Sequence, residues 1–249
     1  MCVVKADPKV QRRLLVLQAH DAALARLEHR RRTLPELAAI TEADAALAGL
    51  RSDAVRAETE VGDLDRELRR LEADVDQVRR RSEKDQQRMQ SGAVPAKELE
   101  SLQHEVESLA RRQSDLEDTE LEVMERREEA ESRAAAVRAE VEKVTAARAE
   151  AERARDAAWA EIDAEAAADT TARAGIAGEL PADLIGLYEK IRAASGGVGA
   201  AALKHRRCEG CRLEMLGAEL RAIRAAAPDD VIRCENCRRI LVRTDESGL

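Results

Sequence analysis

Two heptad repeats separated by a turn constrain this 249-residue chain more than any other feature. From Ile40 onward, Leu47, Ala54, Val61, Leu68, Val75 and Met89 share one heptad position, and Leu50, Ala57, Leu64, Leu71 and Val78 share the other. Ser82 and Asp85 interrupt the seam near its end. A seam sustained this long is a coiled-coil pattern. It stops at Ser91-Gly92-Ala93-Val94-Pro95, a turn by composition. The second run aligns Leu102, Leu109, Leu116, Val123, Ala130, Val137, Val144, Ala151 and Ala158. Its companion position mixes Leu99, Val106, Val141 and Ile162 with Gln113, Glu120, Arg127, Arg148 and Arg155, so the seam there is expected to be wet or irregular. Two long helices joined by so short a turn run antiparallel. The pattern predicts a mainly α chain built on a long antiparallel coiled-coil helical hairpin, residues 1–174, with its tip near 91–96.

Composition points the same way. Aromatic residues make up 1% of the chain and charged residues 37%. Globular cores of this size lean on aromatics for buried area, whereas a chain rich in Ala, Glu, Arg and Leu reads as long helices. No apolar run approaches the roughly 20 residues that span a bilayer, and the opening MCVVKADPKV lacks the apolar stretch of a signal peptide. A cytoplasmic location, no membrane partner and reduced thiols are therefore expected. Cys2 reads as an inert terminal thiol.

Asp7-Pro8 is a helix start, with Asp as N-cap and Pro at the first helical position. That helix is expected to end near Arg32. Thr33-Leu34-Pro35-Glu36 has the spacing of a capping box opening a new helix, and the competing reading is a proline kink in one continuous helix. Gly175 to Gly178 breaks the second heptad run. Residues 175–202 then form a connector carrying a short amphipathic helix over 181–194, with Leu184, Leu187, Tyr188 and Ile191 on one face and Tyr188 as a packing residue.

The remaining segment, 203–249, carries the chemistry. Cys208-Glu-Gly-Cys211 and Cys234-Glu-Asn-Cys237 are two Cys-x-x-Cys units separated by 22 residues. Each unit forms a tight turn presenting two thiolates, and two such turns close the tetrahedron that zinc adopts with sulfur ligands. The separation slightly exceeds the usual spacing, which is accounted for if Leu216–Ala227 forms a short helix between two small hairpins. Four thiolates fill the coordination shell and leave no position for a reacting water, so the predicted cofactor is one structural zinc ion and the ribbon has no evident catalytic role. His205 would be a fifth ligand and reads as a surface residue. No phosphate loop or nucleophile motif accompanies the site, so neither an enzyme nor a small-molecule substrate is expected.

Residues 203–243 hold ten basic and six acidic residues, while the whole chain carries −8. The ribbon is mildly basic and the rest acidic. Arg206, Arg207, Arg238 and Arg239 flank the two turns and are the candidate phosphate contacts if the ribbon binds nucleic acid. The ribbon has no aromatic residue on which to stack bases.

These residues resemble the bacterial coiled-coil proteins with a C-terminal four-cysteine zinc ribbon. The likeness is carried by Leu180–Arg192, by both Cys-x-x-Cys units, by the Ile240-Leu241-Val242 that follows, and by Pro95–Glu105 after the tip. Where the family usually has Gly-Arg-Ile-Leu after the second unit, Arg238 stands in place of the Gly. The resemblance implies a helical hairpin with a small ribbon, acting as a regulator or adaptor that binds protein partners through the coiled coil. The family is also labelled nucleic-acid-binding, which leaves RNA or DNA as the alternative partner. A third reading, a polymerase-channel factor of hairpin and zinc, requires acidic residues at the tip, and Ser91–Ala96 is uncharged.

Overall fold

The computed structural model describes residues 4–92 and 94–249, so Cys2 and Ala93 lie outside the described residues. Helix α1 runs Pro8–Arg32, opened by the Asp7 side chain accepting from the Lys9 N–H at 2.8 Å. Helix α2 runs Pro35–Gln90 and helix α3 runs Ala96–Gly178. The break at Thr33 separates two helices rather than kinking one. The expected capping box is not what makes it: Thr33 closes α1, its hydroxyl donating to the His29 carbonyl at 2.9 Å. Glu36, which would have reached back, has a buried Oε2 without a hydrogen-bond partner. Gly175 does not break α3 either; the helix continues through it to Gly178. Helix α4 spans Ala182–Ala194. Among the described residues no helix is long and apolar enough to cross a membrane.

The chain divides into two compact units, Ala38–Glu152 and Met1–Leu37 with Arg153–Leu249. In the first, α2 and α3 form the antiparallel hairpin. Leu47, Leu64 and Val75 of α2 are buried, as are Leu102, Leu116, Val123, Ala130 and Ala134 of α3. Two polar positions of the second heptad pair across the seam, Arg127 with Asp65 at 2.5 Å and Arg148 with Asp44 at 2.6 Å, while Gln113 donates to Glu117 within α3 at 2.8 Å. Arg88–Glu98, Arg79–Glu117 and Arg133–Glu60 add pairs whose partners diverge along the chain, as an antiparallel hairpin requires. Such exposed pairs are screened by solvent, add little stability and mainly set register.

The second unit joins α1, the C-terminal part of α3, α4 and a four-stranded sheet of order β2-β1-β4-β3. Its strands are β1 (Ala200–Lys204), β2 (Arg207–Cys208), β3 (Ile232–Arg233) and β4 (Ile240–Arg243), with helix α5 (Gly217–Ala225) inserted between β2 and β3. Strands β1–β2 and β3–β4 are antiparallel hairpins, joined by parallel pairing of β1 with β4. Strand alternation sends side chains to both faces. On one face Ala200, Ile240 and Val242 pack with Leu14, Leu17, Leu184 and Tyr188. On the other, Ala201, Leu203 and Leu241 pack with Met215, Ile223, Cys208 and Cys234.

The helical face is organised around Asp21, only 4% exposed. Its carboxylate accepts from Tyr188 Oη at 2.5 Å and Arg173 Nε at 2.7 Å. Arg192 Nε lies 3.1 Å away, close enough for charge attraction though not aligned as a hydrogen bond. Glu189 pairs with both arginines. Burial first, and then the bond to Asp21, pushes the Tyr188 hydroxyl well above its ordinary range, so it stays a donor. Gln18 adds the link to the sheet: its Oε1 accepts from Gly199 N at 2.7 Å and lies 3.1 Å from Tyr188 Oη, whose proton goes to the shorter bond with Asp21. Gly199 has no room for a side chain, since a Cβ there would meet the Tyr188 ring at 2.7 Å and its carbonyl at 2.8 Å. At the far end of α1, the Trp159 indole donates to the Arg31 carbonyl at 3.3 Å, with the Arg31 and Arg155 guanidiniums 5.0 and 4.8 Å from its ring centre. This seats Arg155, the last polar residue of the second heptad, by a cation–π contact.

Replacing Asp21 with Ala is expected to destabilise the fold by about 3 kcal/mol, the low end for breaking a buried ion pair because Glu189 still holds both arginines. The measurement is the urea midpoint, and an unchanged midpoint would show that the network contributes nothing. Gly199→Ala is expected to destabilise as an overpacked core does, by roughly 1–3 kcal/mol, in the same assay.

Candidate metal centre

The two Cys-x-x-Cys units are built alike. Cys208 ends β2 and Cys234 follows β3. In the first unit the Arg212 N–H donates to the Cys208 carbonyl at 2.6 Å, and in the second the Arg238 N–H donates to the Cys234 carbonyl at 2.9 Å. Each turn then needs a left-handed residue, and arginine fills the position both times, with φ of 60° at Arg212 and 62° at Arg238. The strain is about 1 kcal/mol at each. Arg238 thus adopts the left-handed conformation where the family's Gly usually stands, and the turn is kept.

These turns bring four sulfur atoms together. The Sγ atoms of Cys208, Cys211, Cys234 and Cys237 all lie within 4.8 Å of one another. Across the two units, Cys208 stands 3.8 Å from Cys237 and Cys211 stands 3.9 Å from Cys234. Zinc–sulfur bonds of about 2.3 Å in a tetrahedron require sulfur–sulfur edges near 3.8 Å, which the two cross-unit edges match and to which the cluster as a whole comes close. Burial pushes the Cys208 and Cys234 thiols up. Burial also acts upward on Cys237, but hydrogen bonds from Arg239 and its sulfur neighbours outweigh it and hold this thiol below its ordinary value. His205 is exposed and stands outside the cluster.

The candidate phosphate contacts are not equivalent. Arg206, Arg207 and Arg238 are exposed. Arg207 donates to the Arg212 carbonyl at 2.9 Å, and Arg206 to the Gly248 carbonyl at 3.4 Å. Arg239 is half-buried, its guanidinium turned inward onto the carbonyls of Ser195, Val198 and Gly210. Arg243 is engaged likewise, on the carbonyls of Ala226, Ala227, Pro228 and Asp230. Sequence reasoning missed this inward use because the side chain's direction depends on carbonyls contributed by distant segments.

With this geometry in view, comparison with known proteins is decisive. Residues 17–196 match the CT398-like coiled coil hairpin domain and residues 207–241 match the C4-type zinc ribbon domain. The chain belongs to the CT398-like coiled-coil hairpin family. A family relative, an uncharacterized protein of Mycobacterium tuberculosis, is 42% identical over 244 residues, covering 97% of this chain and 98% of the relative. Another from Mycobacterium leprae is 32% identical over 213 residues, covering 86% and 91%. A solved Mycobacterium smegmatis structure matches with a TM-score of 0.85 at 38% identity, covering 97% of this chain and all of that one. CT398 from Chlamydia trachomatis shares the fold with a TM-score of 0.66 at 17% identity, over 95% of this chain and 98% of CT398. As in the family's second domain, the ribbon is of the four-cysteine type, and its clustered thiols fit one structural zinc.

Gly210, inside the first turn, is packed on three sides: an added Cβ would meet Arg239 Cδ at 2.9 Å, Ala201 Cβ at 3.0 Å and Cys208 Sγ at 3.5 Å. Gly210→Ala is expected to lower the ribbon's thermal midpoint while leaving residues 38–152 unaffected. Hydrogen exchange resolves the two regions, and equal loss of protection in both would contradict the local effect.

Proposed function

We propose that this protein is a non-enzymatic, cytoplasmic adaptor or regulator that binds protein partners through its coiled coil, with its ribbon held by one zinc on Cys208, Cys211, Cys234 and Cys237. The observation that carries the reading is the sulfur cluster: four thiols within 4.8 Å of one another are enough to fill a zinc ion's shell, which supports a metal that serves folding rather than chemistry. The families matched are a coiled-coil hairpin and a zinc ribbon, and neither is enzymatic. In residues 38–152, Val55, Leu121 and Met124 remain exposed on otherwise charged helices, which supports a surface that docks a partner helix.

The second reading is binding of RNA or DNA by the ribbon. The exposed side chains of Arg206, Arg207 and Arg238 beside the cysteine turns favour it. Arg239 belongs to this set by sequence, but its bonds to three carbonyls support an internal role. Contact would run through phosphates, tolerate sequence and weaken steeply with salt. Labelled RNA and DNA titrated at low and moderate salt separate the readings. Binding abolished by Ala at Arg206, Arg207 and Arg238, with zinc retained, supports the nucleic-acid partner. No binding at low salt leaves the adaptor.

Metal analysis of the purified chain is expected to find about one zinc per chain, lost in a Cys234→Ser, Cys237→Ser double variant. Full retention by that variant would overturn the ligand assignment. Stripping the zinc with a chelator is expected to unfold the ribbon and leave most of the far-UV helix signal, because the hairpin seam is independent of metal. Loss of most of that signal would contradict the division.

A further inference from the structure

Arg239 ties both cysteine turns to the rest of the ribbon. It lies two positions after Cys237, and its carbonyl accepts from the Cys234 N–H at 3.0 Å, closing the second turn. The guanidinium crosses to the other turn, where Nη1 donates to the Gly210 carbonyl at 3.0 Å. It also reaches the connector: Nη2 donates to Ser195 O at 2.9 Å and Nε to Val198 O at 3.2 Å. One planar, permanently charged group therefore joins the two cysteine turns and the end of α4.

A zinc ion with four thiolates carries a net charge near −2. Such a centre is stabilised by positive charge nearby, and the buried sulfurs of Cys208 and Cys234 cannot draw it from water. Ligands oriented by outer contacts bind metal tighter, and removing one such contact typically costs about 10- to 100-fold in affinity. Arg239 supplies charge and a fixed separation of the two turns together.

We propose that Arg239 is a positioning residue of the zinc centre, holding the two cysteine turns at one separation and setting positive charge beside them. The proposal rests on the assignment of zinc to the four cysteines, which metal analysis of the unaltered chain tests separately. Arg243 is the matched control. It also ties down carbonyls, with Nη2 donating to Ala227 and Pro228, both at 2.8 Å, but it serves the loop after α5 and no sulfur.

The experiment uses the full chain with Arg239→Met, Arg239→Lys and Arg243→Met. Zinc affinity is read by competition with a chromophoric chelator, and cobalt replaces zinc to report the sulfur-to-metal charge-transfer band. Arg239→Met is expected to lose about 10- to 100-fold in zinc affinity and to shift the cobalt band. Arg239→Lys is expected to recover part of both, since it keeps the charge but not the fork. Arg243→Met is expected to lower thermal stability with affinity within about threefold of the parent and an unmoved band, because its contacts lie outside the sulfur shell. Wild-type affinity and band in Arg239→Met would overturn the proposal. An equal loss in Arg243→Met, or lost affinity with an unmoved band in Arg239→Met, would do the same, since it would mean that the side chain acts through the fold alone. If Arg239→Met does not fold, a wild-type affinity and band in Arg239→Lys overturns it instead.

Discussion

The parallel pairing of β1 with β4 is the contact on which the ribbon and its neighbouring helices depend. Each strand of the antiparallel hairpins is two to five residues long, and an isolated two-stranded hairpin is marginal in water. Pairing Ala200–Leu203 with Ile240–Arg243 makes one sheet of two hairpins. That sheet is buried on both faces, as parallel pairs generally are. Leu241 points to the cysteines, while Ile240 and Val242 point to α1 and α4. A chain with a single Trp, a single Tyr and no Phe can build a core here because both faces of the same few residues are used.

The arginines near the sheet divide by what their side chains bind. Arg239 and Arg243 donate to carbonyls of the segments that flank the strands, tying the connector, the first cysteine turn and the loop after α5 in place. Arg173 and Arg192 neutralise Asp21. These groups are consumed by folding. The basic surplus read from composition therefore overstates what the ribbon offers a partner, and Arg206, Arg207, Arg212, Arg233 and Arg238 make up the exposed share around the cysteine turns.

Much of this was legible in the sequence, for identifiable reasons. The heptads prescribe the hairpin because their period matches the helix, and the burial of Leu47, Leu64, Val75, Leu116, Val123 and Ala130 falls on the marked positions. The helix predicted between the cysteine pairs appears as Gly217–Ala225, because α5 lies between two turns of fixed chemistry. Local signals failed where a tertiary contact won. Thr33 has the spacing of an N-cap yet closes the preceding helix, and Gly175 lies inside α3 because Ile176 and Leu180 are buried against α1 and α4. The Asp21 network left no trace at all. Asp21 is far in sequence from Arg173, Tyr188 and Arg192, and each alone reads as an ordinary polar or packing residue.

The two faces of the sheet are stabilised by different physics, and this bears on what metal loss does. On the helical face, Leu14, Leu17, Leu184 and Tyr188 bury apolar area around a satisfied carboxylate, and nothing there needs an ion. On the other face, the buried partners of Leu203 and Leu241 include two of the cysteines themselves. Without the metal, that face retains Ala201, Leu203, Leu241, Met215 and Ile223 but loses the link that ties the two cysteine turns together. The strands are common to both faces, so the helical side supports β1 and β4 while the cysteine side loosens. Arg239 spans the two as well, its bonds reaching Ser195 and Val198 on one side and Gly210 on the other.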